Sequence, residues 1–337
     1  MPMRVAIVPA GQWGTALAVP LAENGHAVRL WLRRPEDVDV FRRTRTNPRH
    51  LPGAPLPDGV EAFPTPEEAL DHADLVILGS ASRGLRDTCR AIRAHLPPGA
   101  LVLSITKGLE PETHLRMSQV ILDELPEVEG RLAVLSGPNF AVEVARRLPA
   151  ATVVAAGDPA VAAAWQHAFM GPRLRVYTHD DVLGVELGGA LKNVIAIGVG
   201  ISDGLGAGEN ARAALITRGM AEIGRLGVAL GASPLTFAGL SGVGDLVLTC
   251  TGDLSRNRRL GLAIGRGEAA EAALRTLGTV EGVPTARAAV QLAREVGVEM
   301  PITERVHAVL FEGESPAEGL ELLMGRDRTK ESWHVPA

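Results

Sequence analysis

Lysine is nearly missing from this chain of 337 residues. Of its 34 basic residues, 31 are arginine, and the lysines are Lys107, Lys192 and Lys330. Two of them sit in glycine-bearing segments, Lys107 in Ser104-Ile105-Thr106-Lys107-Gly108 and Lys192 in Glu186-Leu187-Gly188-Gly189-Ala190-Leu191-Lys192-Asn193. A lysine gives up its proton when its surroundings lower its pKa, whereas a guanidinium practically never does. Lys107 and Lys192 are therefore the first candidates for acid–base chemistry, although compositional bias explains the bare count equally well. Cysteine is equally scarce: Cys89 and Cys250 stand far apart and match no metal-binding or redox spacing. Excess positive charge is absent too, and a net charge of −5 argues against nucleic acid as the main partner. No basic run followed by an apolar run and a cleavage site opens the sequence, and with the free-thiol composition this leads us to expect a reducing cytoplasm. None of the nine histidines falls in a ligand pattern, so no metal is expected.

The single long apolar run, 182–201, contains Glu186 and Lys192. Each charge would cost about 2.5–3.5 kcal/mol at a bilayer centre. A buried core helix is the better reading, with the lysine inside it paired or functional.

The length suggests about two domains. Runs 4–8, 28–32, 75–79, 101–104, 132–135, 151–155 and 174–177 read as strands. Amphipathic stretches at 66–72, 82–95 and 111–125 read as helices between them. Such alternation predicts an α/β domain over residues 1–180, a doubly wound parallel sheet with helices on both faces. The segment 42–57, rich in Pro and Arg, reads as a long loop. From about Asp180 the strand signals stop, and 182–202, 209–230, 255–265, 284–296, 301–311 and 317–324 read as helices. Residues 181–337 are thus expected to form an all-α domain.

Near the N-terminus a strand over residues 3–8 leads into Pro9-Ala10-Gly11-Gln12-Trp13-Gly14, then a helix over 15–24 and a second strand. This is the setting in which a glycine-rich loop binds a dinucleotide, one glycine admitting the pyrophosphate and another letting the helix pack on the strand. The N–H groups opening that helix then face the anion. Pro9 occupies the place of the first glycine, where it fixes φ and removes a donor. At the end of the second strand, where NAD sites usually place an acid for the ribose hydroxyls, stand Arg33 and Arg34. They favour a 2′-phosphate and hence NADP, while Glu36 and Asp37 just beyond keep NAD open.

Lys107 and the segment Ser136-Gly137-Pro138-Asn139-Phe140-Ala141 each follow a predicted strand, the position where open parallel sheets hold ligands. Asp245, after the Gly242/Gly244 pair, is a partner for a buried lysine. Ser255-Arg256-Asn257 is expected to open a helix with N–H groups, a guanidinium and an amide aimed together, which suits a phosphate or another anion. Arg258 and Arg259 are expected to be surface charge.

Taken together, Gly11-Gln12-Trp13-Gly14-Thr15-Ala16-Leu17, Thr106-Lys107-Gly108, Ser136-Gly137-Pro138, Glu186-Leu187 with Gly189-Ala190-Leu191-Lys192-Asn193-Val194, Gly244-Asp245-Leu246, Thr249-Cys250, Ser255-Arg256-Asn257 and Val280-Glu281-Gly282 resemble the NAD(P)-dependent glycerol-3-phosphate dehydrogenases of bacterial type. The resemblance spans almost the whole chain in order. It implies a Rossmann-type N-terminal domain and a C-terminal helical domain for substrate and dimerisation. It also implies the interconversion of dihydroxyacetone phosphate and sn-glycerol 3-phosphate, which in bacteria feeds phospholipid synthesis. Carried over by motif, Lys192 is the acid–base residue, with Lys107 and Asp245 completing the catalytic set. Gln12, Trp13, Arg33, Arg34, Lys107, Ala141, Arg256 and Glu281 join Gly11 and Gly14 at the cofactor. Lys107, Gly137, Asn139, Lys192, Asp245, Ser255, Arg256 and Asn257 bind substrate. Gln12 and Asn139 depart from the family's usual small Ser and its Ser or Thr.

The chemistry expected of such a substrate is hydride addition to a ketone carbon, with a protonated lysine stabilising the oxygen and then protonating it. Burial should lower the Lys192 pKa toward working pH, and Asp245 should oppose that shift. A homodimer is the expected assembly. Two other readings stay open: a related β-hydroxyacid-type NAD(P) dehydrogenase acting on another small anion such as a carboxylate, and a non-catalytic NADP-binding sensor.

Overall fold

A computed structural model describes residues 2–328 and Glu331; Lys330 lies outside the described residues. The chain divides into two compact units. The first comprises Met1–Thr106 and Met117–Val182, and the second Lys107–Arg116 and Leu183–Ala337. The second unit thus takes in a ten-residue excursion from the N-terminal half.

The first unit is an eight-stranded sheet of β1 (Arg4–Val8), β2 (Ala27–Trp31), β3 (Val60–Phe63), β4 (Leu75–Leu78), β5 (Leu101–Ser104), β6 (Leu132–Ser136), β7 (Ala150–Ala156) and β8 (Leu174–His179). Its strand order is β3-β2-β1-β4-β5-β6-β7-β8. All neighbours run parallel except β6 and β7, which pair antiparallel. The chain leaves β6 and returns to its neighbour from the same end through one short helix, so no full crossover is made. The helices are α1 (Gln12–Glu23), α2 (Pro35–Thr44), α3 (Pro66–Leu70), α4 (Leu85–Ile92), α5 (Met117–Glu124), α6 (Ala141–Ala145) and α7 (Pro159–Phe169). Val5, Ile7, Leu30, Leu75, Ile77 and Leu103 from the strands join Leu17, Leu21, Trp165 and Phe169 from the helices in the core. Central strands buried on both faces read as continuous apolar runs, which is why β1 and β4 were legible.

The sequence reading differs from this fold in several places. β3 escaped it because four residues between Pro57-Asp58-Gly59 and Pro64 give little period to read. α2 runs into the expected loop and ends at Thr44, with Arg45 in the left-handed region. α7 escaped it although Asp158 caps Ala160 N and Pro159 stands at its first position. The helix expected over 111–125 begins only at Met117, because 107–116 folds back on itself. Leu109 bridges Arg116, and Glu110 N donates to the Leu115 carbonyl at 2.9 Å.

The second unit contains α8 (Val182–Gly204), α9 (Gly208–Ala229), α10 (Asp245–Thr251), α11 (Arg256–Gly265), α12 (Ala270–Leu277), α13 (Gly282–Glu295), α14 (Pro301–Phe311) and α15 (Pro316–Met324). α8 is long and apolar enough to cross a membrane, yet 78% of its most apolar window is buried inside the protein. Leu187, Leu191, Ile195 and Val199 pack there with Ile223, Leu226, Phe237 and Ala289. Its two interior charges are paired: Arg116 Nη1 donates to Glu186 Oε2 at 2.5 Å, and Lys192 meets Asp245.

Candidate active site

In the first unit the β1–α1 turn carries Gly11, Gln12, Trp13 and Gly14. The Val8–Pro9 peptide is cis. Gly14 lies so close to the strand that a Cβ there would stand 2.7 Å from Ile7 Cγ2, the tight packing such loops need. No side chain caps α1, so its first-turn N–H groups remain for an anion. The Trp13 Nε1 is buried with no hydrogen-bond partner. The hydroxyls of Ser80, Ser104 and Ser136, at the carboxyl ends of β4, β5 and β6, are also buried without partners. Uncapped amides and unsatisfied donors at strand ends fit a bound dinucleotide.

Arg33 and Arg34 follow β2. Arg33 Nη2 donates to Thr88 Oγ1 at 3.0 Å, and Arg34 lies 58% exposed and 4.0 Å from Glu36. The nearby acids are matched by arginine: Arg49 Nε is 2.6 Å from Asp37 and its Nη2 is 3.8 Å from Glu36. Gly137 has φ 144° and abuts Thr152, so only glycine suits it. Asn139 Nδ2 donates to the Ala151 carbonyl at 2.9 Å while its Oδ1 is buried and unpartnered. Ala141 opens α6.

In the second unit Asp245, first residue of α10 and 1% exposed, gives one oxygen to each of two lysines. Lys107 Nζ donates to its Oδ2 at 2.7 Å, and Lys192 Nζ donates to its Oδ1. Lys192 also donates to Thr249 Oγ1 at 2.8 Å. Thr249 in turn donates to the Asp245 carbonyl at 2.6 Å. Desolvation pushes the Lys192 pKa down to about 8, with Asp245 opposing and Lys107 assisting. Two cations around one anion leave the cluster with a net positive charge.

Ser255 caps α11, its hydroxyl accepting from Arg258 N at 3.2 Å. Arg256 is exposed at that helix start. Surrounding protein lowers its pKa and Glu281 opposes the shift. Glu281 itself is the N-cap residue of α13. Asn257 spends its carboxamide within the unit: Nδ2 donates to Asn193 Oδ1 at 2.8 Å, and Oδ1 accepts from Gly282 N at 2.9 Å.

Two profiles cover most of the chain. The N-terminal part of NAD-dependent glycerol-3-phosphate dehydrogenase matches residues 4–162 and its C-terminal part matches residues 181–321. The chain belongs to this family. It is 57% identical over 330 residues to a glycerol-3-phosphate dehydrogenase [NAD(P)+] from Symbiobacterium thermophilum, covering 98% of this chain and 96% of that one. The counterpart from Geobacillus kaustophilus is 48% identical over 329 residues, with 97% and 96% covered. The crystal structure of glycerol-3-phosphate dehydrogenase from Coxiella burnetii superposes with a TM-score of 0.91 at 38% identity, over 96% of this chain and 99% of that one.

Thr249, beside Lys192, and Arg258, on α11 behind Arg256, carry little signal in the sequence. Thr249 is legible in the sequence only as part of a motif, yet it stands one turn after Asp245 and so shares its helix face, a spacing that marks it. Arg258, expected at the surface, is 12% exposed and bound to Asp203; composition does not tell it from Arg259, whereas helix rotation does. Arg259 is exposed, as expected.

Proposed function

We propose that this chain interconverts dihydroxyacetone phosphate and sn-glycerol 3-phosphate with NADP or NAD, NADP being favoured. The observation that carries the reading is the pairing of Lys107 and Lys192 on Asp245. An ammonium has three donors. Lys192 commits one to Asp245 and one to Thr249, which leaves a third for a substrate oxygen. Bound NAD(P)H supplies the hydride that reduces the ketone carbon. As negative charge grows on the substrate oxygen, the third Lys192 hydrogen stabilises it and then transfers. The neutral amine keeps its two donations to Asp245 and Thr249, and its lone pair replaces the lost proton. In the reverse direction that lone pair takes the hydroxyl proton. A pKa of about 8 suits both directions. Lys107 adds positive charge to the same cluster.

Arg256 and the capped start of α11 bind the phosphate, so that remote binding energy aligns the carbonyl. Ser255 and the Asn257 backbone form part of that turn, while Gly137 and Asn139 belong to the substrate set. Gly11, Gln12, Trp13, Gly14, Arg33, Arg34, Ala141 and Glu281 serve the cofactor. The first unit is then the nucleotide domain and the second the substrate domain. A cytoplasmic homodimer serving phospholipid synthesis completes the reading.

The test is NADPH consumption with dihydroxyacetone phosphate, beside NADH and beside dihydroxyacetone lacking phosphate. Fast oxidation that depends on the phosphate is expected. No oxidation by a protein that binds NADPH would sink the reading in favour of another small anionic substrate.

A further inference from the structure

We infer that Asp203 and Arg258 are positioning residues for the phosphate clamp, locking the first turn of α11 to the helix that carries Lys192. The inference rests on the reading of Arg256 as the residue that binds the phosphate.

Arg258 follows Arg256 by two positions, so the two side chains leave the helix about 200° apart. Arg256 points to solvent, and Arg258 turns inward to α8. Its Nε and Nη2 both donate to Asp203 Oδ2, at 3.1 and 2.9 Å, and its Nη1 donates to Asp253 Oδ1 at 2.9 Å. The other oxygen of Asp203 accepts from Arg212 Nε at 2.8 Å. The Asp203 side chain is 5% exposed. One buried carboxylate thus ties α11 and α9 to the C-terminal end of α8.

Below the ion pair the two helices are in near backbone contact. A Cβ on Gly200 would stand 2.2 Å from the Arg258 carbonyl oxygen, and one on Gly261 would stand 2.0 Å from that of Ile197. Gly204 and Gly265 are as crowded, against Leu262 O at 2.6 Å and Ile201 O at 2.3 Å. Glycine faces fix how near the helices come. They carry no side chain that opposes sliding or rotation. Together with the Asn257–Asn193 hydrogen bond, the Arg258–Asp203 bridge opposes both, two positions from Arg256. Lys192 lies three turns back along the same α8 rod, about 16 Å from Asp203. The distance from proton donor to phosphate-binding turn is therefore set within one unit by one helix, the Asn257–Asn193 hydrogen bond beside Lys192 and the Arg258–Asp203 ion pair. A loosened turn would still present Arg256, but out of register with the carbonyl that Lys192 serves, and misplacement on this scale costs catalysis steeply.

The experiment compares Asp203→Asn, Arg258→Gln, Arg258→Lys and Arg256→Ala. For each, KM and kcat are measured with dihydroxyacetone phosphate, kcat/KM with unphosphorylated dihydroxyacetone, NADPH affinity by fluorescence, and Tm. Asp203→Asn and Arg258→Gln are expected to raise KM for the phosphorylated substrate about tenfold. They should leave kcat/KM for dihydroxyacetone within about twofold and leave NADPH affinity unchanged. Arg258→Lys keeps the charge without the two-pronged contact; it should fall between, and it covers the case in which Asp203→Asn does not fold. Equal losses on both substrates, or a lowered Tm with an unchanged KM, would overturn the positioning role. Arg256→Ala separates the two ideas. If it leaves KM unchanged, the clamp reading fails; if it raises KM while the other variants do not, only the positioning inference fails.

Discussion

Lys192 donates to the hydroxyl of Thr249 at 2.8 Å, and that hydroxyl passes its own hydrogen to the Asp245 carbonyl at 2.6 Å. The threonine can only accept from the lysine, so it aims the ammonium whatever its protonation state. Thr249→Val keeps the shape and removes the acceptor. It should lower kcat about 10- to 100-fold with little change in NADPH affinity, and Thr249→Ser should recover most of the loss. Steady-state kinetics on the pair checks this.

Lys192→Ala should lower kcat by orders of magnitude and leave NADPH binding near wild type. Turnover within a few-fold of wild type would remove Lys192 from the chemistry. Lys192→Arg should be nearly as poor, since guanidinium retains its proton and a buried slot 6% exposed does not fit the larger group.

The Lys192 pKa of about 8 gives the two directions opposite pH dependence. Ketone reduction needs the protonated amine, so kcat should fall as pH rises through about 8. Alcohol oxidation needs the free amine and should rise over the same range. Measuring kcat both ways from pH 6 to 10 tests it; parallel profiles would show that another group controls the rate.

The NADP preference proposed above rests on the turn after β2. Arg34 is exposed, and the acids Glu36 and Asp37 are already faced by arginines, so the local field favours a phosphate. A charge-assisted contact contributes about 1.5–3 kcal/mol, tenfold or more in affinity. Arg34→Ala should weaken NADPH binding by about tenfold and NADH by less than twofold. Fluorescence titration of both cofactors gives the ratio; equal losses would show that Arg34 does not read the 2′-phosphate.

Glu222 on α9, 1% exposed, supplies the cap that α14 lacks. Its Oε1 accepts from Ile302 N at 2.6 Å, and its Oε2 accepts from Thr303 N and Oγ1, each at 3.1 Å. Desolvation outweighs these bonds and raises its pKa to about 7. Between the unfolded carboxyl value near 4.5 and 7 the folded state holds the extra proton, so stability falls as pH rises through that window, by on the order of a few kcal/mol. Glu222→Gln should flatten the decline of Tm between pH 5 and 7.5. A profile as steep as wild type would assign the slope to other groups.

Much of this fold could be read from residue order. β1, β4 and β5 carry unbroken apolar runs over 5–8, 75–78 and 101–103, and α8 declared itself by length. β3 and α12 did not, being too short for a period to emerge. The lysines stood out because arginine replaces lysine elsewhere, and Asp245 because it follows paired glycines. What remained hidden was three-dimensional pairing. Asp203 and Arg258 are 55 residues apart, and nothing local distinguishes Arg258 from Arg259. The fold-back of 107–116 was likewise masked, since its sequence suits the start of a helix as well as a closed loop.

That fold-back makes the first unit impossible to exchange with a single cut. Lys107 is encoded between β5 and α5 yet packs with Lys192 and Asp245. A chimaera joined near residue 182 would graft a foreign Lys107 loop, with its Leu109 and Arg116 anchors, onto a second unit shaped for another. Exchanging the first unit between relatives while preserving the Lys107–Asp245–Lys192 cluster therefore requires three junctions, after Thr106, after Arg116 and after Val182.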